Sequence, residues 1–276
     1  MNRLLPGFIR RLNPEARSGL AILIIIFALS IFVPLLSPYD AFSSVGLPLD
    51  PPSLRHPFGV DHLGRDLFTR TFAAAQLDIA LALLGVSIPL VIGTILGAIV
   101  GTTNHPVVVA VWTIIVDAIN AFPLIVLVIA VVAAIGPGVE GIIIALGMTN
   151  WARYGKIART KALTLRNADF ISAAQVLGYS RRRILLNHIV PNVYSETLAY
   201  GLSDFVLVII TVAGLSFLGM GVRAPTPEWG AMMSEGRLFL MIEWWITVLP
   251  GFVLSLTAIG VALFAQGAVA LIRGEE

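Results

Sequence analysis

Three carboxylates fall at or inside long apolar runs: Asp78, Asp117 and Asp204. An acid held in hydrocarbon is costly, and by default it marks a proton relay, an ion path or a gate. All three lie near the ends of their runs, Asp78 toward one surface and Asp117 and Asp204 toward the other, which favours a structural or gate-lining role. No other chemistry is assembled. His56, His62, His105 and His188 are scattered over different loops with no two at ligand spacing on one helix, so a fixed metal site is not expected. The absence of cysteine removes disulfides, thiol catalysis and cysteine-ligated metals. Gly155-Lys156 is followed by Ile157 and lacks the glycine five positions earlier that a phosphate loop needs. In Gly214-Leu215-Ser216 the fifth position is Leu218, which rules out a nucleophile elbow. The residues thus offer no catalytic group and no cofactor site.

The elements that hold these residues are set by hydropathy. Of 276 residues 57% are hydrophobic and 12% charged, with a mean hydropathy of +0.91, which makes a bilayer the natural solvent. Spanning helices need about 20 apolar residues, and runs such as Ala21 to Leu36 or Ile79 to Val100 are apolar on every face, unlike the alternating strands of a barrel. The expectation is an all-α integral membrane protein with six transmembrane helices. Residues 1–17 form a basic inner segment and 18–37 an uncleaved first helix, which ends in Val33-Pro34-Leu35-Leu36 rather than a small-residue cleavage site. Residues 38–77 form an outer loop, and 78–272 a core of five helices. Helix two is expected at 78–101, turning at Thr102-Thr103-Asn104-His105-Pro106. Helix three runs from Val107 to Ile135 and stops at Gly136-Pro137-Gly138. Helix four starts near Gly141, helix five covers Tyr200 to Gly221, and helix six covers Trp244 to Leu271.

Basic residues orient this arrangement. With both termini inside, the inner side collects thirteen of the 18 lysines and arginines: Arg3, Arg10, Arg11, Arg17, Arg153, Lys156, Arg159, Lys161, Arg166, Arg181, Arg182, Arg183 and Arg273. Five remain outside, so the basic balance reads as topology and not as nucleic-acid binding. Trp229, Trp244 and Trp245 group near the outer end of helix six, where interfacial aromatics gather.

The inner loop 156–196 is longer than conduction alone requires, and its pattern is that of folded structure. Asn167 is placed to cap a short helix, Phe170, Ile171, Ala174 and Leu177 recur at helical spacing, and Gly178 can end it left-handed. A second helix runs from Ser180 to before Pro191. Such a pair makes either a knob for a partner's groove or an amphipathic patch on anionic lipid through Arg181, Arg182 and Arg183. On helix two, Gly93, Gly97 and Gly101 repeat every fourth residue and make a smooth stripe for helix packing.

Ser172-Ala173-Ala174-Gln175-Val176-Leu177-Gly178, followed by His188-Ile189-Val190-Pro191, resembles the EAA signature of permease subunits in binding-protein-dependent ABC importers, with Ser172 in place of the glutamate and His188 in place of an isoleucine. His56-Pro57-Phe58-Gly59-Val60-Asp61-His62-Leu63-Gly64-Arg65-Asp66, Leu215-Ser216-Phe217-Leu218-Gly219-Met220-Gly221 and Pro225-Thr226-Pro227-Glu228-Trp229-Gly230 resemble the dipeptide, oligopeptide and nickel branch, specifically the second of its two permeases. Phe264-Ala265-Gln266-Gly267-Ala268 departs from that branch, which usually has a Gly-Asp-containing, arginine-rich tail there.

The resemblance implies a type I ABC importer permease fold in the bacterial inner membrane. It assigns Asp169, Ser172, Ala173, Ala174, Gly178, Arg181, His188 and Pro191 to coupling with an ATPase. The implied partners are a second homologous permease, two ABC ATPases that carry the ATP and magnesium, an extracytoplasmic solute-binding protein and the lipid bilayer. The cargo expected is peptide-like, moved inward by alternating access. The same machinery importing nickel or another small solute is the alternative, with an ion-coupled secondary transporter or a non-transporting scaffold behind it.

Overall fold

Asn13 and Pro14 start the first helix earlier than hydropathy predicts. The computed structural model describes residues 12–273, so Arg3, Arg10 and Arg11 of the expected inner segment lie outside the described residues. Helix α1 is Pro14–Leu36: the Asn13 side chain accepts from the Ala16 N–H at 2.8 Å and the proline takes the first turn, where it has no N–H to leave unpaired.

The second helix, α2 (Leu67–Thr102), has 36 residues and begins at Leu67 where Asp78 was expected. Asp66 caps it by accepting from the Thr69 N–H at 2.8 Å. At 1.5 Å per residue it is about 54 Å long, well beyond a hydrocarbon layer of about 30 Å. Its first three turns carry Arg70, which reads as solvent-exposed loop, yet Arg70 is buried under the segment 37–66.

The expected third helix is two helices, α3 (Pro106–Asn120) and α4 (Leu124–Ile135), bent by 95°. Pro123 stands at the break, where it removes a backbone donor and would clash with the preceding turn of a continuous helix.

Helix α5 (Val139–Leu165) runs well past the point where the inner loop was expected to begin. Its basic residues Arg153, Lys156, Arg159 and Lys161 lie along a helix whose other face, with Gly155, Ala158 and Ala162, is buried. A short helix α6 (Asp169–Val176) follows, capped by Ala168 without a side-chain bond and not by Asn167. Ser180 caps α7 (Arg181–Ile184), its hydroxyl accepting from the Arg183 N–H at 3.3 Å.

No break separates α7 from the next helix, contrary to the expected stop before Pro191. A π-helical turn, Leu185–Ile189, joins it to α8 (Val190–Phe217), ten residues earlier than the expected start at Tyr200. The wide turn accommodates Pro191, which has no N–H for the normal ladder. Helix α9 (Trp229–Gly236) and a 3₁₀ turn, Arg237–Phe239, occupy a stretch expected to be loop, and α10 (Trp245–Arg273) is the last helix among the described residues. Trp229 is fully buried and so is not an interfacial anchor, while Trp244 is exposed.

Among the described residues there are no strands, only two isolated bridges within 44–66. Four helical stretches, α1, α2, Arg181–Phe217 and α10, are long and apolar enough to cross a membrane, or five with the bent pair α3–α4 taken as one span. Helix α2 is the hub: α5, α8 and α1 pack along it, and α10 closes against α1 and α8. One end of the hub carries α6, and the other carries segment 37–66 and α9.

Candidate functional site

Helix α6 has a buried side and a bare one. Ile171 (1% exposed) and Ala174 (5%) turn inward against Ala158 and Ala162 of α5, Ile184 of α7, Ile189 of the π turn and Val193 of α8. Val176 (88%) and Leu177 (71%) stand out at its end, with Phe170 also exposed and Asp169, Ser172 and Ala173 beside them. The adjacent alanines therefore do different work: Ala174 seats the helix and Ala173 belongs to its outer surface.

The end of α6 is fixed by its backbone. Gly178 has φ +78°, the Tyr179 N–H bonds back to the Ala174 carbonyl at 3.1 Å and the Gly178 N–H to the Gln175 carbonyl at 3.0 Å. That pair of bonds is a Schellman termination, which places a glycine at the left-handed residue. Space does not demand the glycine, since nothing lies within 4 Å of where a Cβ would stand. Behind the turn, Tyr179 stacks on His188 with ring centroids 5.9 Å apart and takes the Arg183 guanidinium 4.0 Å from its own centroid. His188 thus braces the junction from behind, while Pro191 is exposed in the first turn of α8. Arg181 is exposed and lines, with Arg166 and Arg182, a groove of about 820 Å³ between α6 and the ends of α2 and α5. Leu177 belongs to the helix's apolar pattern in sequence, whereas Val176 does not. In sequence an exposed apolar residue beside a buried one carries no distinguishing signal.

The glycine stripe faces α5. A Cβ on Gly93 would come within 2.6 Å of Tyr154 Cβ and 2.8 Å of Gly155 N, one on Gly97 within 2.7 Å of Ala158 Cβ, and one on Gly101 within 2.7 Å of Ala162 Cβ.

The three acids occupy unrelated places. Asp117 is exposed and pairs with exposed Lys156 at 3.7 Å, a surface contact of little energetic weight. Asp204 is buried between α8 and α5, accepting from Asn150 Nδ2 at 2.7 Å, the Tyr154 hydroxyl at 2.9 Å and the Tyr200 hydroxyl at 3.5 Å. Asp78 Oδ2 accepts from the Trp229 N–H at 3.0 Å and so ties α2 to α9. Glu228 caps α9 by accepting from the Gly230 and Ala231 N–H groups at 3.0 and 2.7 Å, and burial pushes its carboxyl above the usual range.

The 37–66 segment and α9 are joined by a second polar network. Arg65 Nε donates to Asp61 Oδ2 at 2.7 Å and Arg65 Nη2 to Glu235 Oε2 at 3.0 Å; Arg70 lies 3.4 Å from Asp61 and donates to the Ala41 carbonyl at 2.7 Å. His56 Nδ1 meets Asp66 Oδ1 at 2.8 Å. Asp61, His62 and Glu235 bring ligand-type atoms within 4.8 Å of one another. The two guanidinium groups already occupy the carboxylates there, so the cluster contains its own cations and does not suit a metal ion. Glu235→Ala is expected to lower stability by about 1–3 kcal/mol by leaving the Arg65 guanidinium short of an acceptor. The thermal midpoint of the purified protein, followed by tryptophan fluorescence, checks this; an unchanged midpoint would show that the link to α9 contributes nothing.

Residues 93–273 match the family described as binding-protein-dependent transport system inner membrane component. The dipeptide transport system permease protein DppC of Alkalihalophilus pseudofirmus is 36% identical over 256 residues, covering 92% of this chain and 84% of that protein. The oligopeptide transport system permease protein OppC of Bacillus subtilis is 35% identical over 258 residues, covering 93% and 84%. The glutathione transport system permease protein GsiD of Escherichia coli is 36% identical over 262 residues, covering 91% and 84%. Among solved structures, the crystal structure of an amino acid ABC transporter with histidines superposes with a TM-score of 0.55 at 14% identity, covering 75% of this chain and 94% of that one, a likeness of fold.

Proposed function

The chain belongs to the binding-protein-dependent transport system inner membrane component family, and from that premise we propose that it forms one half of an importer's solute pathway and takes its drive through α6. It is a multi-pass permease of the bacterial inner membrane. The spans are α1, α2, the bent pair α3–α4, α5, α8 and α10, with both termini on the α6 side, where the basic residues gather. The partners are a second permease of the same family, two ATPases that hold ATP and magnesium, and a solute-binding protein that meets the opposite end. This chain supplies no catalytic residue.

The observation that carries the reading is the construction of α6: an apolar tip left bare by its own chain on a base sunk among α5, α7 and α8. A partner that grips Val176 and Leu177 and moves acts, through Ile171 and Ala174, on the ends of α5 and α8. Because α5 lies along the glycine stripe of α2, that displacement passes into the helices of the pathway. The two conformations then differ in which end is open, and ATP binding on the partner selects between them. Coupling belongs to Asp169, Ser172, Ala173, Gly178 and Arg181 at or near this surface, with Ala174 and His188 behind it and Pro191 in the first turn of α8.

The cargo proposed is peptide-like, supported by relatives whose names specify dipeptide, oligopeptide and glutathione transport. The test is reconstitution of the complex into proteoliposomes with its binding protein and a radiolabelled dipeptide. Uptake that requires both ATP and the binding protein is the expected result. Uptake driven by an ion gradient without ATP would replace this reading with a secondary transporter, for which Asp204 is the first residue to examine.

A further inference from the structure

Asp78 of α2 and Glu228 at the start of α9 are both sealed from solvent, at 1% and 0% exposed. Asp78 takes the N–H of Trp229, the residue next to Glu228, so the two side chains meet at the first turn of α9. Glu228 accepts one backbone N–H on each oxygen, from Gly230 and Ala231, and Asp78 Oδ2 accepts the Trp229 N–H. Asp78 Oδ1 has no donor.

The surroundings offer no positive charge. From α2 the pair meets Thr71, whose carbonyl takes the Trp229 indole N–H at 2.9 Å; from α8 it meets the Ser216 hydroxyl; from α9 it meets the backbone that Glu228 caps. Among the described residues neither acid forms an ion pair. Arg70, the basic residue that precedes Asp78 on α2, is committed to Asp61 and the Ala41 carbonyl.

Two ionised carboxylates in contact, buried and without a counter-charge, repel one another, and each lacks the solvation it would have in water. One O–H between them turns that repulsion into a charge-assisted hydrogen bond. We propose that Asp78 and Glu228 hold a single proton between them, so that the junction of α2 and α9 is a proton-binding site. The unpartnered Asp78 Oδ1 is the oxygen with no other use, and it donates toward Glu228, which stays a carboxylate to cap α9. Loss of the proton restores the repulsion and loosens α9 from α2 at the end of the bundle opposite α6.

Difference infrared spectroscopy on the purified complex tests this. A protonated-carboxyl C=O band that shifts in D₂O is expected at neutral pH, and it should be missing from Asp78→Asn and from Glu228→Gln. Asparagine at 78 keeps a donor toward Glu228 and an acceptor for the Trp229 N–H, so its thermal midpoint should match the unmodified protein, whereas Asp78→Ala should lower it. Identical C=O regions in the unmodified protein and either variant would overturn the proposal. Should neither variant assemble, the unmodified complex still decides, since the absence of any protonated-carboxyl band at neutral pH overturns it too.

Discussion

Aspartate at both Val176 and Leu177 is expected to strip the ATPase from the purified complex while the chain itself folds as before. These side chains are 88% and 71% exposed, so their replacement removes no internal packing. An apolar anchor that acts as a hot spot at the centre of an interface contributes about 2 kcal/mol, and losing two such anchors corresponds to about a thousandfold loss of affinity. Charges introduced there must also be desolvated by the partner, which adds to the loss. The measurement is ATPase activity and band intensity after affinity purification in mild detergent, with the thermal midpoint of the tagged chain recorded alongside. A contrasting variant, Ala174→Asp, buries its carboxylate among Ala158, Ala162 and Ile189 and should lower the midpoint itself. If Val176→Asp/Leu177→Asp co-purifies with ATPase at the unmodified ratio, α6 is not the docking element, and the Arg166, Arg181 and Arg182 groove becomes the next surface to test.

The contrast between Ala173 and Ala174 shows where reading from sequence stops. The spacing of the Ala-Ala pair, Gly178 and Pro191 located the short helix proposed to dock and its left-handed end, because a Schellman termination needs a residue type that sequence displays. Which alanine faces outward depends on where α5 and α8 lie, and neighbouring residues on a helix differ by a rotation no local pattern records. The ends of the helices differ from those expected for a related reason. Hydropathy marks where lipid ends, whereas α2 continues from Asp78 back to Leu67 in protein that satisfies Arg70 with Asp61 and the Ala41 carbonyl. Helix α5 extends into the expected loop because its charges occupy one face and its glycine and alanines the other. Pro123 stands in the sequence within an apolar run, and the break at α3–α4 shows that a missing donor prevails over hydrophobicity in setting backbone direction. The Asp78–Glu228 contact, between residues far apart in sequence, is tertiary and had no local signature beyond the acids themselves.

Leucine at Gly97 is expected to prevent assembly of a stable bundle. A Cβ there would press on the Gly155 carbonyl, lie 2.7 Å from Ala158 Cβ and reach 3.0 Å from Arg159 N. Two of those three neighbours are backbone, which has no rotamer to yield, so α5 as a whole must move off α2. Retreat is blocked as well, because a Cβ on Gly155 would meet the Trp112 ring at 2.7 Å, so α3 closes on α5 from another side. Overpacking in an adaptable core costs about 1–3 kcal/mol, and a clash with backbone held on both faces exceeds that range, against a total stability of about 5–15 kcal/mol. Gly97→Leu should yield aggregated material on size exclusion, and Gly97→Ala a monodisperse protein with a lowered thermal midpoint. Gly147→Ala serves as the control, since its Cβ would find only Ile88 Cγ2 at 3.7 Å, and its midpoint should not fall, alanine being favoured over glycine in a helix interior. Monodisperse Gly97→Leu protein with the unmodified midpoint would mean that α2 and α5 are separable, and that a push on α6 could not reach the pathway along this seam. Close contact of this kind is what rigid transmission requires: helices spaced by long side chains can absorb a displacement in rotamers, whereas helices meeting backbone to backbone must move together.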